Sequence, residues 1–374
     1  MANTRVTTPV TDFKKSTSLP GLKLPSGDNS NHPAGAAAEQ GMIRNDTGEN
    51  TGGSTSAIEH HNGTNWQYFA ATESPNYAPI NVDYLIVAGG GGGGSGFDGG
   101  GGGAGGLLTS IAATPLPLTP NVIYTIEVGV GGTRTANSPG GNGGDSSING
   151  SDITLISADG GGGGGGNTGG SSAGAAGGSG GGAGYGSSTT NFGAGTSGQG
   201  NNGGYGALYS GFYAAGGGGG GASAVGGNAT TNVSGDGGNG LTNSITVASG
   251  TGPFYAGGGG GGRDTRSSSY PNNGGGGGDG GGGSADQLGG TGNNGNNGVG
   301  GGGAGAGVPA SVTIQLGGTG GSGVVIIKYP TANNITIASG TSPVTADLNA
   351  TVAGSTTEKF TRFTATGAVT FTIS

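Results

Sequence analysis

The sequence predicts an all-β fold joined to a bundle of extended glycine rods, with essentially no α-helix. Three observations lead there. Glycine supplies 103 of the 374 residues, much of it in unbroken runs at 89–94, 99–103, 160–166, 216–221, 257–262, 274–278, 280–283 and 300–303. An apolar strand, Tyr84-Leu85-Ile86-Val87-Ala88, opens directly into the first run, and Val324-Val325-Ile326-Ile327-Lys328-Tyr329 closes the region. No stretch reads as a helix.

An isolated glycine run is expected to be disordered, because glycine loses the most backbone entropy on ordering. Here the runs recur, and several follow apolar or aromatic residues, which points to rods clamped by a β core. In the polyproline-II conformation a chain makes about three residues per turn and rises ~3.1 Å per residue without internal hydrogen bonds. Its N–H and C=O groups point sideways and must pair with water or with neighbouring chains. Lacking Cβ, glycine lets such rods approach closely enough to bond one another. A six-glycine run then spans roughly 19 Å. Ser, Ala, Asn and Asp are expected to interrupt a run where it faces solvent.

Composition narrows the alternatives. Proline numbers only 15, and the glycines lack strict Gly-X-Y spacing, so collagen is excluded. Charged residues are 8%, too few for a charge-rich disordered tail. A net charge of −8 disfavours nucleic acid and anionic membranes as partners. With no cysteine, neither disulfides nor thiolate metal sites arise. The N-terminus is polar and lacks an apolar signal segment. No apolar run approaches the roughly 20 residues that span a bilayer, so membrane insertion is not expected.

Residues 1–40 read as an extended arm, in which Leu22 and Leu24 flank Lys23 with the spacing of one short strand. Residues 41–70 read as strand, loop, strand, Asn-Gly turn, strand, with Trp66, Tyr68 and Phe69 as packing residues. Residues 71–82 carry Pro75 and Pro79 and form a linker. The glycine-rich domain occupies 83–330. Its expected strands are Leu107-Leu108, the alternating Val122-Ile123-Tyr124-Thr125-Ile126-Glu127-Val128, Ile153–Ile156, Val312–Leu316 and the two flanking strands; together they form a sandwich or open barrel at one end. Residues 331–374 lack glycine runs, and the alternation at Asn334–Ile337, Phe360–Thr364 and Val369–Ile373 predicts a terminal β module with Gly367 in its last turn.

Two resemblances follow from these residues. Gly41-Met42-Ile43-Arg44, followed by Asn62-Gly63-Thr64-Asn65-Trp66, resembles a small module common in phage tail-fibre and other virion proteins, although Asn45 stands where an aromatic is frequent. Tyr124–Gly132, then Gly140-Gly141-Asn142-Gly143-Gly144-Asp145-Ser146-Ser147, then a strand entering a glycine run, resembles the glycine-rich domain of phage tail-fibre tip adhesins. Related glycine-rich domains also occur in animal receptor ectodomains. The phage resemblance implies a polyglycine-II sandwich whose distal loops contact a host receptor. It also implies attachment to other virion fibre or tail proteins through 41–70, a place on the virion surface and, by analogy with fibres, a homotrimer.

No chemistry-bearing constellation emerges. A Gly-x-Gly-x-x-Gly pattern matches throughout and so carries no information without a strand–helix context. The three histidines, His32, His60 and His61, lie outside the large domain. His60 and His61 are adjacent in a strand and therefore face opposite ways, and no third metal ligand is near. Gly140–Asp145 fits the start of a calcium-binding repeat only once, and Ser147 occupies the position that should be apolar. No cofactor, metal or enzyme activity is expected. The informative departures from glycine are aromatic and cationic loops between rods. Tyr205, Tyr209, Phe212, Tyr213, Arg263, Arg266 and Tyr270 form the expected receptor-binding set, since Tyr and Arg give broad contact at low entropy cost. The same side chains also fit a plainer role as caps on rod ends, in which case the protein is a structural spacer or decoration protein.

Overall fold

The computed structural model describes residues 78–166, 172–186, 190–209, 213–230, 233–266, 274–309, 315–338 and 347–374, together with four short strands nearer the N-terminus. The chain divides into two compact units, 1–76 and 77–374. In the first unit β1 (Ser26–Gly27), β2 (Ile43–Asp46), β3 (Ala57–His61) and β4 (Trp66–Tyr68) form one sheet in that order. β2 pairs antiparallel with β3, and β3 with β4, as the Ile-rich and Trp66 segments predict. β1 joins in parallel through Ser26–Asn45 and Gly27–Asp46, two residues beyond Leu24. Leu22 and Leu24 themselves lie outside the described residues.

The second unit contains β5 (Ile80–Val87), β6 (Leu107–Thr109), β7 (Leu116–Leu118), β8 (Tyr124–Val128), β9 (Ser146–Gly150) and β10 (Ile153–Ala158). Two short hairpins follow, β11 (Ala207–Tyr209) with β12 (Tyr213–Ala215), and β13 (Leu241–Thr242) with β14 (Phe254–Tyr255). Then come β15 (Val324–Pro330), β16 (Ile335–Ile337), β17 (Asp347–Thr351), β18 (Glu358–Phe363) and β19 (Gly367–Ile373). No helix occurs among the described residues.

Two sheets stack as a sandwich. One has the order β10-β9-β8-β19-β16; the other runs β17-β18-β15-β5-β6, with β7 also pairing β5. Its central strands β5 and β15 are antiparallel, with Val324 opposite Val87 and Ile327 opposite Tyr84. Alternation sends Val82, Ile86, Val325, Ile327 and Tyr329 into the space between the sheets, where they meet Tyr124, Ile126, Ile148, Phe363 and Phe371. The intervening Leu85, Val87, Val324 and Ile326 pack on the outer face against Ile245, Tyr255, Val352 and Phe360. Burial on both faces is why these two segments are continuously apolar rather than alternating.

The 330/331 division drawn from composition is not a division in space. β16 and β19 belong to the first sheet and β17 and β18 to the second, so residues 331–374 complete the sandwich instead of forming a separate module. β18 pairs β15, and β19 pairs β8 through Gly367–Val128 to Phe371–Tyr124, so the last two strands form no hairpin with each other and their connection ties one sheet to the other. Glycine depletion marks the ends of the bundle, not the edge of a domain. β7 was also not foreseen, because Pro117 breaks a central strand; as an edge strand facing Asn81 it tolerates the missing N–H. The expected strand at 312–316 lies mostly outside the described residues.

The glycine runs lie side by side, joined by lateral backbone hydrogen bonds. Along 89–94 the donors turn through three neighbours in succession. Gly89 and Gly92 donate to Gly144 and Gly141 at 3.0 and 2.9 Å, Gly90 and Gly93 to Gly321 and Gly318 at 2.9 and 2.8 Å, and Gly91 and Gly94 to Gly103 and Gly100 at 2.8 and 2.9 Å. Partner numbers fall as donor numbers rise, so these neighbours run antiparallel. In return Gly161 and Gly164 donate to Gly89 and Gly92, Gly303 and Ala306 to Gly91 and Gly94, and Gly132 to Gly90, all from parallel neighbours. One run thus touches six others with a three-residue period. Residues 99–104 and 257–262 are enclosed in the same way, and they bond each other through Gly259 to Gly102 and Gly262 to Gly99.

Where no rod lies alongside, a side chain takes its place. Asp145 and Asn142 accept the N–H groups of Gly160 and Gly163, Asp236 and Asn239 those of Gly276 and Asp279, and Asn294 and Asn297 those of Thr319 and Ser322. Each pair is spaced by three, so both members fall on one face of a chain with a three-residue period. Asn142 and Asp145, the residues that begin the calcium-repeat pattern, are therefore used in holding the neighbouring run.

A Cβ built on Gly101 meets the carbonyl oxygen of Gly259 at 2.0 Å, and one on Gly259 meets that of Gly303 at 2.2 Å. On Gly276, in an outer run, the nearest atom is an Asp236 carboxylate oxygen at 3.4 Å. Gly101→Ala and Gly259→Val are therefore expected to cost at least the ~1–3 kcal/mol of an overpacked core. Gly276→Ala is expected to be neutral or to stabilise by ~0.4–1 kcal/mol, by restricting the unfolded chain. Thermal melts of the three variants decide this, and equal tolerance at all three would mean the runs are not packed.

Candidate functional site

Strands lead into the runs at one end, and a second group of connections between runs lies at the other. There the first two runs are joined by Ser95-Gly96-Phe97-Asp98, with Ser95 donating to Ser138 and Gly96 to Gln315 through their backbone N–H groups. A backbone bridge joins Ala215 at the end of the β11–β12 hairpin to Arg263, and another joins Asp264 to Val308. Of the two segments that sequence reasoning singled out, the described parts, 205–209 with Tyr213 and 263–266, thus come together at the same end.

Within that end the members of the expected set differ. Tyr205 is half-buried, its N–H bonded to Asn228 and its carbonyl to Ala229. Tyr209 and Tyr213 are cross-strand partners flanking the hairpin loop. Phe212 and Tyr270 lie outside the described residues. Arg263 donates through Nη1 to the Gln287 carbonyl, while its own carbonyl accepts from Val308. Arg266 grips Asp264: its Nη2 lies 2.6 Å from Oδ2, its Nε bonds both carboxylate oxygens, and its backbone N–H reaches Oδ1 at 2.9 Å. The guanidinium sits 5.1 Å from the centre of the Phe97 ring. Leu288, beside Gln287, stands 80% exposed.

Phe97, Asp98 and Asp264 were not among the expected residues. Asp98 is fully buried, holds a left-handed φ of +56°, and neither of its carboxylate oxygens has a hydrogen-bond partner. Burial first, and the neighbouring Asp264 charge second, raise its pKa well above the usual carboxylate range; Arg266 opposes them. The signal available in the sequence was position: Phe97-Asp98 is the bulkiest insertion between the two most enclosed runs. Not all aromatic loops belong to this end. Phe254 and Tyr255 form β14 at the sandwich end, where Tyr255 packs with Ile326 and Val352.

Among the described residues no group of three His, Cys, Asp or Glu side chains is arranged to hold a metal ion. No described helix is long and apolar enough to cross a membrane. The family model for the glycine-rich domain matches residues 64–330, well over half of the chain, and the protein belongs to that family. No curated protein matches it.

The buried acid sets a pH dependence whose sign is determined. A carboxyl whose folded pKa lies above its unfolded value of ~3.9 favours folding most below that value. That contribution is lost as pH rises from there through the folded pKa. Asp98→Asn keeps the shape and tolerates the left-handed backbone, but cannot ionise. The variant and the wild type should therefore melt at nearly the same temperature near pH 4, and the variant should melt progressively higher toward neutral pH. A gap that stays constant with pH, or a wild type that melts higher at neutral pH, would contradict this.

Proposed function

We propose that the chain is a phage tail-fibre or spike component acting as an adhesin. On this reading the glycine runs are polyglycine-II helices packed as a sandwich, residues 41–70 attach the chain to other virion proteins, and the loops at the far end contact a host-surface protein or glycan. The observation that carries the reading is the convergence of the β11–β12 pair with 263–266 at one end of the bundle, beside the exposed Leu288. Support for polyglycine-II comes from the three-residue period of the lateral hydrogen bonds. Support for the virion context comes from the two sequence resemblances. Homotrimerisation and a place on the virion surface belong to the same proposal, and no catalysis is part of it.

A structural spacer is the second reading, and one observation favours it for part of the set. Arg263 and Arg266 are engaged by Gln287 and Asp264 within their own fold, which is what capping residues do. Truncating Arg266 leaves Asp264 buried without its counter-charge, a loss of about 3 kcal/mol by comparison with other broken buried pairs.

Binding of the full chain to host cells, and its competition with virions for them, separates the readings. Tyr209→Ala and Tyr213→Ala are expected to weaken adsorption by roughly thirtyfold each, as a hot-spot residue worth about 2 kcal/mol does, with Tm nearly unchanged. Arg266→Ala is expected to lower Tm. Lowered Tm and intact adsorption in the tyrosine variants would assign those residues to capping and favour the spacer.

A further inference from the structure

Asn-Gly pairs are the points where a polypeptide most readily damages itself, because glycine has no Cβ to shield its nitrogen from the preceding side chain. Five such pairs within or at the ends of the bundle are held at both reacting groups. At Asn142-Gly143 the glycine N–H donates to Gly161 and the asparagine oxygen accepts from Gly163. At Asn202-Gly203 the partners are Gly193 and Gly195. Asn239-Gly240 is held at both groups by Asp279, Asn294-Gly295 by Thr319, and Asn297-Gly298 by Ser322. In each case the glycine nitrogen is turned toward another run and away from the side chain that would trap it.

Asn149-Gly150 is arranged differently. It lies where β9 turns into β10, Asn149 is exposed, and the Gly150 N–H points at the Asn149 side-chain oxygen itself, 2.9 Å away. The nitrogen is thereby held beside Cγ, the carbon it would attack. We infer that Asn149 is a site of spontaneous succinimide formation and deamidation, and that the five pairs named above are protected by the bundle. In the reaction the Gly150 nitrogen loses its proton and forms a bond to Cγ of Asn149, and the side-chain nitrogen leaves as ammonia. Water then opens the ring, at Cγ to give aspartate or at the backbone carbonyl to give isoaspartate.

The location gives the change a structural consequence. Asn149 pairs with Thr125 and Gly150 with Tyr124, whose hydroxyl bonds Asp152 at 2.8 Å and accepts the Thr119 N–H at 2.6 Å. An isoaspartate lengthens the β9 backbone at this pair and adds a carboxylate near Asp152. The modification therefore acts on one edge of the sandwich and leaves the bundle untouched.

The test is to hold the full chain at mildly alkaline pH, then map deamidation by peptide mass spectrometry and isoaspartate by enzymatic methylation, with a chain in denaturant alongside. In the native chain Asn149 should react on the order of tenfold or more faster than the five other pairs, which must await local opening. In denaturant these six should react at similar rates, and Asn149→Gln should remove the dominant native product among them. Native rates at Asn142, Asn202, Asn239, Asn294 and Asn297 equal to or above that at Asn149 would overturn the inference.

Discussion

The structure rests on one requirement: a segment with no side chains can be ordered only if its backbone polar groups find partners on other segments. A glycine run offers no apolar surface to bury, and glycine loses more entropy on ordering than any other residue. What it offers instead is an N–H and a C=O at every position and no Cβ in the way. In 89–94 all six N–H groups are bonded to other runs, cycling through three neighbours. The close approach that permits this is the same one that brings an added Cβ within 2.0 Å of a neighbouring carbonyl at Gly101. Cohesion and intolerance of substitution are thus one property.

Such a bundle needs its runs placed in register, and the sandwich does this. β5 delivers the first run and β15 receives the last, and the two are neighbours in one sheet. The strands β8, β9 and β10 launch or receive further runs from the facing sheet. The connection between the last two strands, β18 in one sheet and β19 in the other, closes the pair. A conventional hydrophobic core confined to one end therefore organises a much larger body that has almost none.

Most of this architecture was legible because the sequence is extreme. The runs, the flanking apolar strands and the alternation at Tyr124–Val128 each have one physical reading. What stayed hidden depended on distance along the chain. Nothing in Phe360–Ile373 says that these strands complete sheets begun at Ile80 and Tyr124; a glycine-poor stretch after a glycine-rich one looks like a new module. The Asn and Asp pairs spaced by three were visible, yet their use as acceptors depends on which outer run lies alongside. The same is true at the far end. Arg263 and Arg266 were recognised by type, whereas the burial of Asp98 and Asp264 beside them follows from packing that no local pattern encodes.

The central claim is that lateral backbone bonds, not side chains, hold the bundle together, and amide hydrogen exchange of the full chain tests it most directly. Glycine N–H groups in 89–94, 99–103 and 257–262 should exchange as slowly as those of β5 and β15, while Gly198 and Gly250, whose Cβ positions face open space, should exchange fast. Exchange of the glycine runs at the rate of an unstructured chain, with protection confined to the sandwich, would contradict the account.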